Sequence, residues 1–173
     1  IIRNHNGLIT VDSEPGRGTI MEIYLPASTG KMAQKKTLTQ ETIKGSGRIL
    51  LMDDDEVVRQ VGVQMLTLLG YEVVESSDGE DALQKYEEAL GSPSRFDAVI
   101  LDLTIPGKMG GRETITRLLA IDPQVKAIVS SGYSNDPIMA EFKDYGFSGV
   151  VPKPYSLEKL GSTVHSILLT AGD

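Results

Sequence analysis

From residue 48 onward, short unbroken apolar runs alternate with stretches in which apolar residues recur every three or four positions. Such runs read as strands buried on both faces, and the wider spacing reads as one face of a helix. Residues 48–53 form the first run. Val58, Val61, Met65 and Leu69 then predict a helix, with Gly70 placed to end it. Residues 71–75 predict a second strand. Ser77-Asp78-Gly79-Glu80 reads as a capping box with Ser77 as N-cap, and Leu83, Tyr86 and Leu90 continue that helix. Gly91-Ser92-Pro93-Ser94 breaks it, and residues 97–101 predict the third strand. A helix near 111–121 stops before Asp122-Pro123, and residues 125–129 follow as a strand. Asp136-Pro137 reads as an N-cap with proline at the first helical position. Ile138, Phe142 and Tyr145 supply the apolar face of that fourth helix, and Gly146 its end. Residues 147–151 are the fifth strand, and Ser156 caps a last helix on which Leu157, Leu160, Val164 and Leu168 share a face. Five strands and five helices in strict alternation predict an α/β fold, a doubly wound parallel sheet covered on both faces. Ligands of such sheets bind beyond the carboxyl ends of the strands.

The first 47 residues are patterned differently. Residues 8–12 and 19–25 predict two strands around the turn-forming Ser13-Glu14-Pro15-Gly16-Arg17-Gly18, with Pro26 closing the pair. Residues 27–47 are polar and basic without a sustained apolar period, and read as a linker. A two-stranded hairpin buries too little surface to stand alone. Residues 1–26 are therefore expected to be the remnant of a larger domain or to pack on the second part.

Charge sharpens this division. Residues 1–47 carry six Lys/Arg against four Asp/Glu, a net +2; residues 48–173 carry eleven against twenty, a net −9. So acidic a domain suits a cation and a basic or mixed protein partner, not nucleic acid. The 173 residues include no cysteine, which excludes disulfides and thiolate metal sites. No apolar run approaches the ~20 residues of a membrane helix, no signal peptide is visible, and the expected compartment is the cytoplasm.

The ends of the predicted strands carry the candidate chemistry. The first closes on Asp53 and Asp54, the third on Asp102, the fourth on Ser130-Ser131-Gly132, and the fifth on Lys153 between Pro152 and Pro154. On one edge these would gather three carboxylates, a hydroxyl and an ammonium. Unit like charges repel by roughly 4 kcal/mol at 4 Å and an effective dielectric of 20, so such a cluster calls for a cation. Oxygen-only ligation with open positions suits Mg²⁺, and the whole set suits phosphoryl transfer. Asp55 and Glu56 read as first-turn acids favoured by the helix dipole.

Ile49-Leu50-Leu51-Met52-Asp53-Asp54, Asp102-Leu103-Thr104-Ile105-Pro106-Gly107, Ser131-Gly132 and Lys153-Pro154 resemble, in order and spacing, the signatures of response-regulator receiver domains over residues 48–171. His5-Asn6-Gly7-Leu8-Ile9 and Ser13-Glu14-Pro15-Gly16-Arg17-Gly18-Thr19, through Leu25-Pro26, resemble the carboxyl end of a histidine-kinase ATP-binding domain. Together they imply part of a hybrid histidine kinase: the tail of the ATP-binding domain at 1–26, a linker at 27–47 and a receiver at 48–173.

The receiver resemblance implies a flavodoxin-like sheet of order 2-1-3-4-5 and Mg²⁺ as cofactor. It makes Asp102 the phosphoacceptor, taking a phosphoryl group from phosphohistidine. Asp54 and Asp102 would ligate the metal with the backbone carbonyl of Thr104, and Asp53 would act through water. Lys153 would pair with Asp102 or a phosphoryl oxygen, and the Ser131 hydroxyl would turn to the phosphoryl group as the switch. Thr104 and Tyr133 hold the positions that tune hydrolysis. Val150 stands where the family often has a switching aromatic, which departs from the pattern. A cis bond before Pro154 is a family feature.

The domain would thus catalyse its own phosphorylation and dephosphorylation, while the parent's ATP site and phosphodonor histidine are expected upstream. Neither His5 nor His165 has the acidic successor of a phosphodonor histidine. The implied partners are a histidine kinase core, in cis or in trans, or a histidine phosphotransfer protein; the face of the fourth and fifth helices is a candidate homodimer surface. Contact with nucleic acid or membrane is not expected. Two alternatives stay open on the residues alone: a Mg²⁺-dependent phosphohydrolase, and a docking module with vestigial acids.

Overall fold

The computed structural model describes residues 2–27, 45–132 and 137–169. The chain forms two compact units, Ile1–Thr39 and Gln40–Asp173.

The first unit holds a 3₁₀ turn at Ile2–His5 and an antiparallel hairpin of β1 (Leu8–Glu14) and β2 (Gly18–Tyr24). Gly16 and Gly18 take positive φ (82° and 103°) at the turn, where a side chain would be strained. The register pairs Ile9 with Ile23 and Val11 with Met21. Directly opposed residues share a face, so one side of the hairpin is an apolar patch. All four side chains are exposed.

The second unit runs β3 (Arg48–Met52), α1 (Glu56–Leu68), β4 (Glu72–Ser76), α2 (Gly79–Leu90), β5 (Ala98–Asp102), α3 (Gly111–Ile121) and β6 (Ala127–Ser131). It continues through α4 (Pro137–Ala140), a 3₁₀ turn at Phe142–Tyr145, β7 (Gly149–Pro152) and α5 (Leu157–Leu169). The strands pair in parallel in the order β4-β3-β5-β6-β7, the expected 2-1-3-4-5. Alternate residues enter two cores, as the period of a strand requires. Leu50, Met52, Val99, Leu101 and Val129 meet Leu83 and Tyr86 of α2 and Ile115 and Leu118 of α3. Ile49, Leu51, Ile100, Ile128 and Val151 meet Leu66 of α1 and Leu160 and Val164 of α5. Burial on both faces explains why the strands read as unbroken apolar runs.

Local details correct three sequence expectations. The N-cap of α2 is Asp78, not Ser77: its Oδ1 accepts from the Asp81 amide at 3.0 Å. The Ser77 hydroxyl instead donates to Asp78 Oδ2 at 3.2 Å. Asp55 is the N-cap of α1 rather than a first-turn acid, accepting from the amides of Val57 and Val58. The fourth helix is a single α turn followed by the 3₁₀ turn, because Glu141 leaves the helical basin at φ −111°, ψ 31°. Ile138, Phe142 and Tyr145 still reach the core, and Gly146 ends the element at φ 85°. The expected cap Asp136 lies outside the described residues.

Candidate functional site

Asp53 is the residue after β3, and the sheet continues past it: its amide donates to the Ser76 carbonyl at 3.1 Å. Its carbonyl accepts from the Arg59 guanidinium at 2.7 Å, and its Oδ1 from the Asp55 amide at 3.1 Å. Asp102 ends β5, in register with Ser130 on β6. At Gly111 a Cβ would come within 2.7 Å of the Asp102 carbonyl, so only glycine lets α3 start this close to the strand end. Lys153 follows β7, its amide donating to the Ser131 carbonyl at 2.9 Å.

These elements bring Lys153 Nζ to 2.7 Å from Asp53 Oδ2 and 2.8 Å from Asp102 Oδ2. Asp53 is fully buried and Asp102 nearly so, while Asp54 is exposed at the rim. One carboxylate oxygen from each of the three acids lies within 4.8 Å of the others. The Lys153–Asp53 contact is an ion pair without hydrogen-bond alignment, so Asp53 Oδ2 is a buried oxygen with no hydrogen-bond partner. An oxygen-only donor set with three acids to one ammonium, containing such an oxygen, fits a hard divalent cation.

The electrostatics follow from this crowding. Burial raises the Asp102 pKa; Lys153 and the Thr104 amide pull it down, the Asp53 charge pushes it up, and the result stands above the ordinary carboxylate value. Burial alone would lower the Lys153 pKa, but the carboxylates of Asp102 and Asp53 beside it outweigh this and hold the ammonium above the usual lysine value.

The remaining predicted residues distribute around this centre. Ser131 is buried at the end of β6. Thr104 is exposed two residues past Asp102. Val150 is half-buried on β7 and packs with the Leu50–Val129 core. Tyr133 lies outside the described residues. The Lys153–Pro154 bond is cis.

Arg59 and Tyr155 escaped the sequence reading, and Ser130 was read only as part of a strand end. Arg59 supports the acid pair from α1 and pairs with Glu75 at 3.1 Å; its signal was a basic residue one turn beyond Asp55. Ser130 and Tyr155 share a hydrogen bond at 2.9 Å beneath the site. Their signal was weak: a polar residue closing the apolar run Ala127-Ile128-Val129, and a tyrosine after Lys153-Pro154.

Known proteins share this fold. The family described as the response regulator receiver domain matches residues 49–165. The sensor kinase CckA of Brucella abortus is 34% identical over 177 residues, 97% of this chain but only 18% of the kinase. The chain therefore spans less than a fifth of that relative. The chemotaxis protein CheY of Treponema pallidum is 32% identical over 123 residues, covering 70% of this chain and 82% of that one. Among solved structures, the response regulator TrrA of Thermotoga maritima in complex with Mg²⁺-BeF superposes with a TM-score of 0.61. It is 26% identical and covers 70% of this chain and 98% of its own.

Proposed function

The chain belongs to the response regulator receiver family, the phosphoacceptor domains of two-component signalling, and on that premise we propose that Asp102 takes the phosphoryl group. The observation that carries this reading is the convergence on Asp102: a buried strand-end carboxylate with Lys153 Nζ at 2.8 Å and two further acids beside it. An Asp102 oxygen attacks the phosphorus of a phosphohistidine. The P–O bond forms as the P–N bond breaks, and the imidazole leaves with the bonding pair and takes a proton from solvent. Lys153, already between two carboxylates, neutralises charge on Asp102 and on the incoming phosphoryl oxygens. The Ser131 hydroxyl turns toward the phosphoryl group, and Thr104 and Tyr133 tune how readily water later cleaves the acyl phosphate. Val150 is too small for an aromatic rotamer exchange, so switching relies on Ser131 and its neighbours.

Asp54, Asp102 and the Thr104 carbonyl would hold Mg²⁺ directly, with Asp53 acting through water. The bound ion supplies neutralisation of phosphoryl charge. The Mg²⁺-BeF complex of TrrA supports this choice of metal.

Receiver domains interact with histidine kinases or phosphotransfer proteins. For this chain we take the donor to be a histidine kinase core, of the same polypeptide or of another, or a phosphotransfer protein. The match to a sensor kinase across 97% of the chain supports that reading. So does the exposed apolar face of Ile9, Val11, Met21 and Ile23, which fits the tail of a larger sheet domain at residues 1–26; most of the expected linker at 27–47 lies outside the described residues. Among the described residues no helix is long and apolar enough to cross a membrane. A cytoplasmic setting, where phosphohistidine donors are made, follows from the same reading. A second copy remains a candidate partner for the face of α4 and α5.

The test is incubation with Mg²⁺ and acetyl phosphate, read by intact mass. We expect one base-labile adduct on the wild-type chain, lost in Asp102→Asn and lost on chelation. An adduct that survives Asp102→Asn overturns the assignment, and multiple turnover on phosphate esters would favour a hydrolase instead.

A further inference from the structure

We infer that the hydroxyl pair Tyr155–Ser130 is a positioning element that holds Lys153 against Asp102 and so sets the rate of phosphorylation. The inference rests on Asp102 being the acceptor. Tyr155 lies two residues beyond Lys153. Its hydroxyl shares a 2.9 Å hydrogen bond with Ser130, a fully buried residue 25 positions earlier in the chain.

Strand β6 is the common anchor. Ser130 stands in register between Asp102 on β5 and Val151 on β7. Its carbonyl accepts from the Leu103 amide at 2.9 Å, fixing the exit of the chain from Asp102. The neighbouring Ser131 carbonyl accepts from the Lys153 amide, also at 2.9 Å. The Tyr155–Ser130 bond adds a second tie two residues further on. The chain is thus tied at Lys153 and again at Tyr155 to adjacent residues of β6, the strand that pairs with Asp102.

The tyrosine ring reaches the acid pair's element as well. A Cβ on Gly62 of α1 would lie 3.3 Å from Tyr155 Cε2, so the ring packs against the helix that follows Asp53 and Asp54 in the chain and is capped by Asp55. Lysine is a flexible point charge, and its effect on a reacting carboxylate depends on placement to within a fraction of an ångström. A loop tied at both ends supplies that placement.

The polarity of the pair argues the same way. Tyr155 packs against a layer built from Ile49, Leu51, Ile100, Ile128, Val151 and Leu160. Two hydroxyls in such a layer gain little over apolar residues of equal volume, and each is costly without the other. A mutually satisfied polar pair in an apolar layer specifies one arrangement of its loop. Burial pushes the Tyr155 phenol up to about 12, so the hydroxyl keeps its proton at neutral pH.

The experiment compares initial rates of Asp102 phosphorylation by acetyl phosphate with Mg²⁺ in the full chain, as donor concentration varies. Tyr155→Phe and Ser130→Ala should each slow the saturated rate about fivefold, with the half-saturating donor concentration unmoved. The double variant should be no slower than either single, and Ser130→Thr, which keeps a hydroxyl, should recover most of the rate. In a Lys153→Ala background Tyr155→Phe should have no further effect. A wild-type rate in Tyr155→Phe overturns the inference, as does an equal slowing with Lys153 absent, which would mean general loosening of the fold. Should Tyr155→Phe fold poorly, the Ser130→Ala and Ser130→Thr pair decides alone. Failure of the underlying reading looks different: a wild-type chain that takes no adduct, or an Asp102→Asn chain that still does, and either result overturns both.

Discussion

The two ends of the receiver sheet hold their charges in opposite ways. At the amino end, Arg48 opens β3 with its Nε 2.8 Å from Glu72 Oε1 and its guanidinium 4.7 Å above the Phe96 ring. A further Arg48 N–H donates to the Ser94 carbonyl, and its amide donates to Asp97 at 2.7 Å. The acid it pairs with is well exposed, at 68% of its side chain. At the carboxyl end, Lys153 lies between Asp53 and Asp102, both buried, with Asp54 beside them. At the amino end the ion pair is partly open to solvent. The carboxyl end keeps three acids to one cation where solvent screens poorly. The first arrangement holds strands together; the second stores repulsion that a metal and a phosphoryl group can use.

The largest test of this contrast removes each cation in turn. Lys153→Ala leaves a fully buried carboxylate facing a second one, and should cost on the order of 3 kcal/mol at neutral pH without divalent cations. Arg48→Ala loses a cation–π contact and a partly exposed pair, and should cost about 1 kcal/mol. Urea unfolding at neutral pH measures both. Equal losses would mean that the two ends are electrostatically alike.

A smaller effect runs in the opposite direction. Asp102 has its pKa raised on folding by burial, with the Asp53 charge adding to it. The folded state therefore binds that proton more tightly than the unfolded state does, and ionising Asp102 costs stability. The cost is absent below the ordinary value of 3.8, grows as pH rises toward the raised value, and is complete above it. Asp102→Asn should therefore melt about 3 °C or more above wild type at pH 7 without Mg²⁺. The gain should fade as pH drops toward 4. Melting curves across that range decide it, and a lower melting point for Asp102→Asn at pH 7 would count against stored repulsion.

The sheet was legible in the sequence because burial on both faces turns each central strand into a plain apolar run, as at Ile49–Met52 and Ala98–Leu101. Asp53, Asp102 and Lys153 were legible because each stands at the end of such a run, where topology alone brings strand ends together. What lay hidden depended on approach in space. Ser130 and Tyr155 meet across 25 residues, and nothing local marks either as the other's partner. The cap of α2 was misplaced by one position because Ser77 and Asp78 both suit an N-cap. The tie is broken by Lys108, 30 residues away, whose ammonium lies 2.7 Å from Asp78 Oδ2 and favours the charged cap. The break in the fourth helix is a backbone departure at Glu141, and the spacing of Ile138, Phe142 and Tyr145 suits either geometry.

That cap gives a prediction no larger than the Arg48 one and the sharpest control on the comparison. The hydrogen bond from Lys108, then the one from the Asp81 amide, lower the Asp78 pKa from 3.8 to about 2. A carboxylate depressed on folding contributes stability that is present above 3.8 and lost as pH falls toward 2, the reverse of Asp102. Asp78→Ala should cost about 1 kcal/mol at pH 7, the usual worth of an N-cap. Its deficit should shrink below pH 4, just under the range in which the advantage of Asp102→Asn shrinks. The two variants thus converge on wild type from opposite sides as acid is added: one has lost a carboxylate that the fold stabilises, the other a carboxylate that the fold strains. Urea unfolding of all three chains between pH 7 and pH 3 reads both limbs at once. If the Asp78→Ala deficit stays constant to pH 3, the cap acts through hydrogen bonding alone. Charge at that position would then be irrelevant to the fold, and the contrast with Asp102 would have to rest on burial rather than on ionisation.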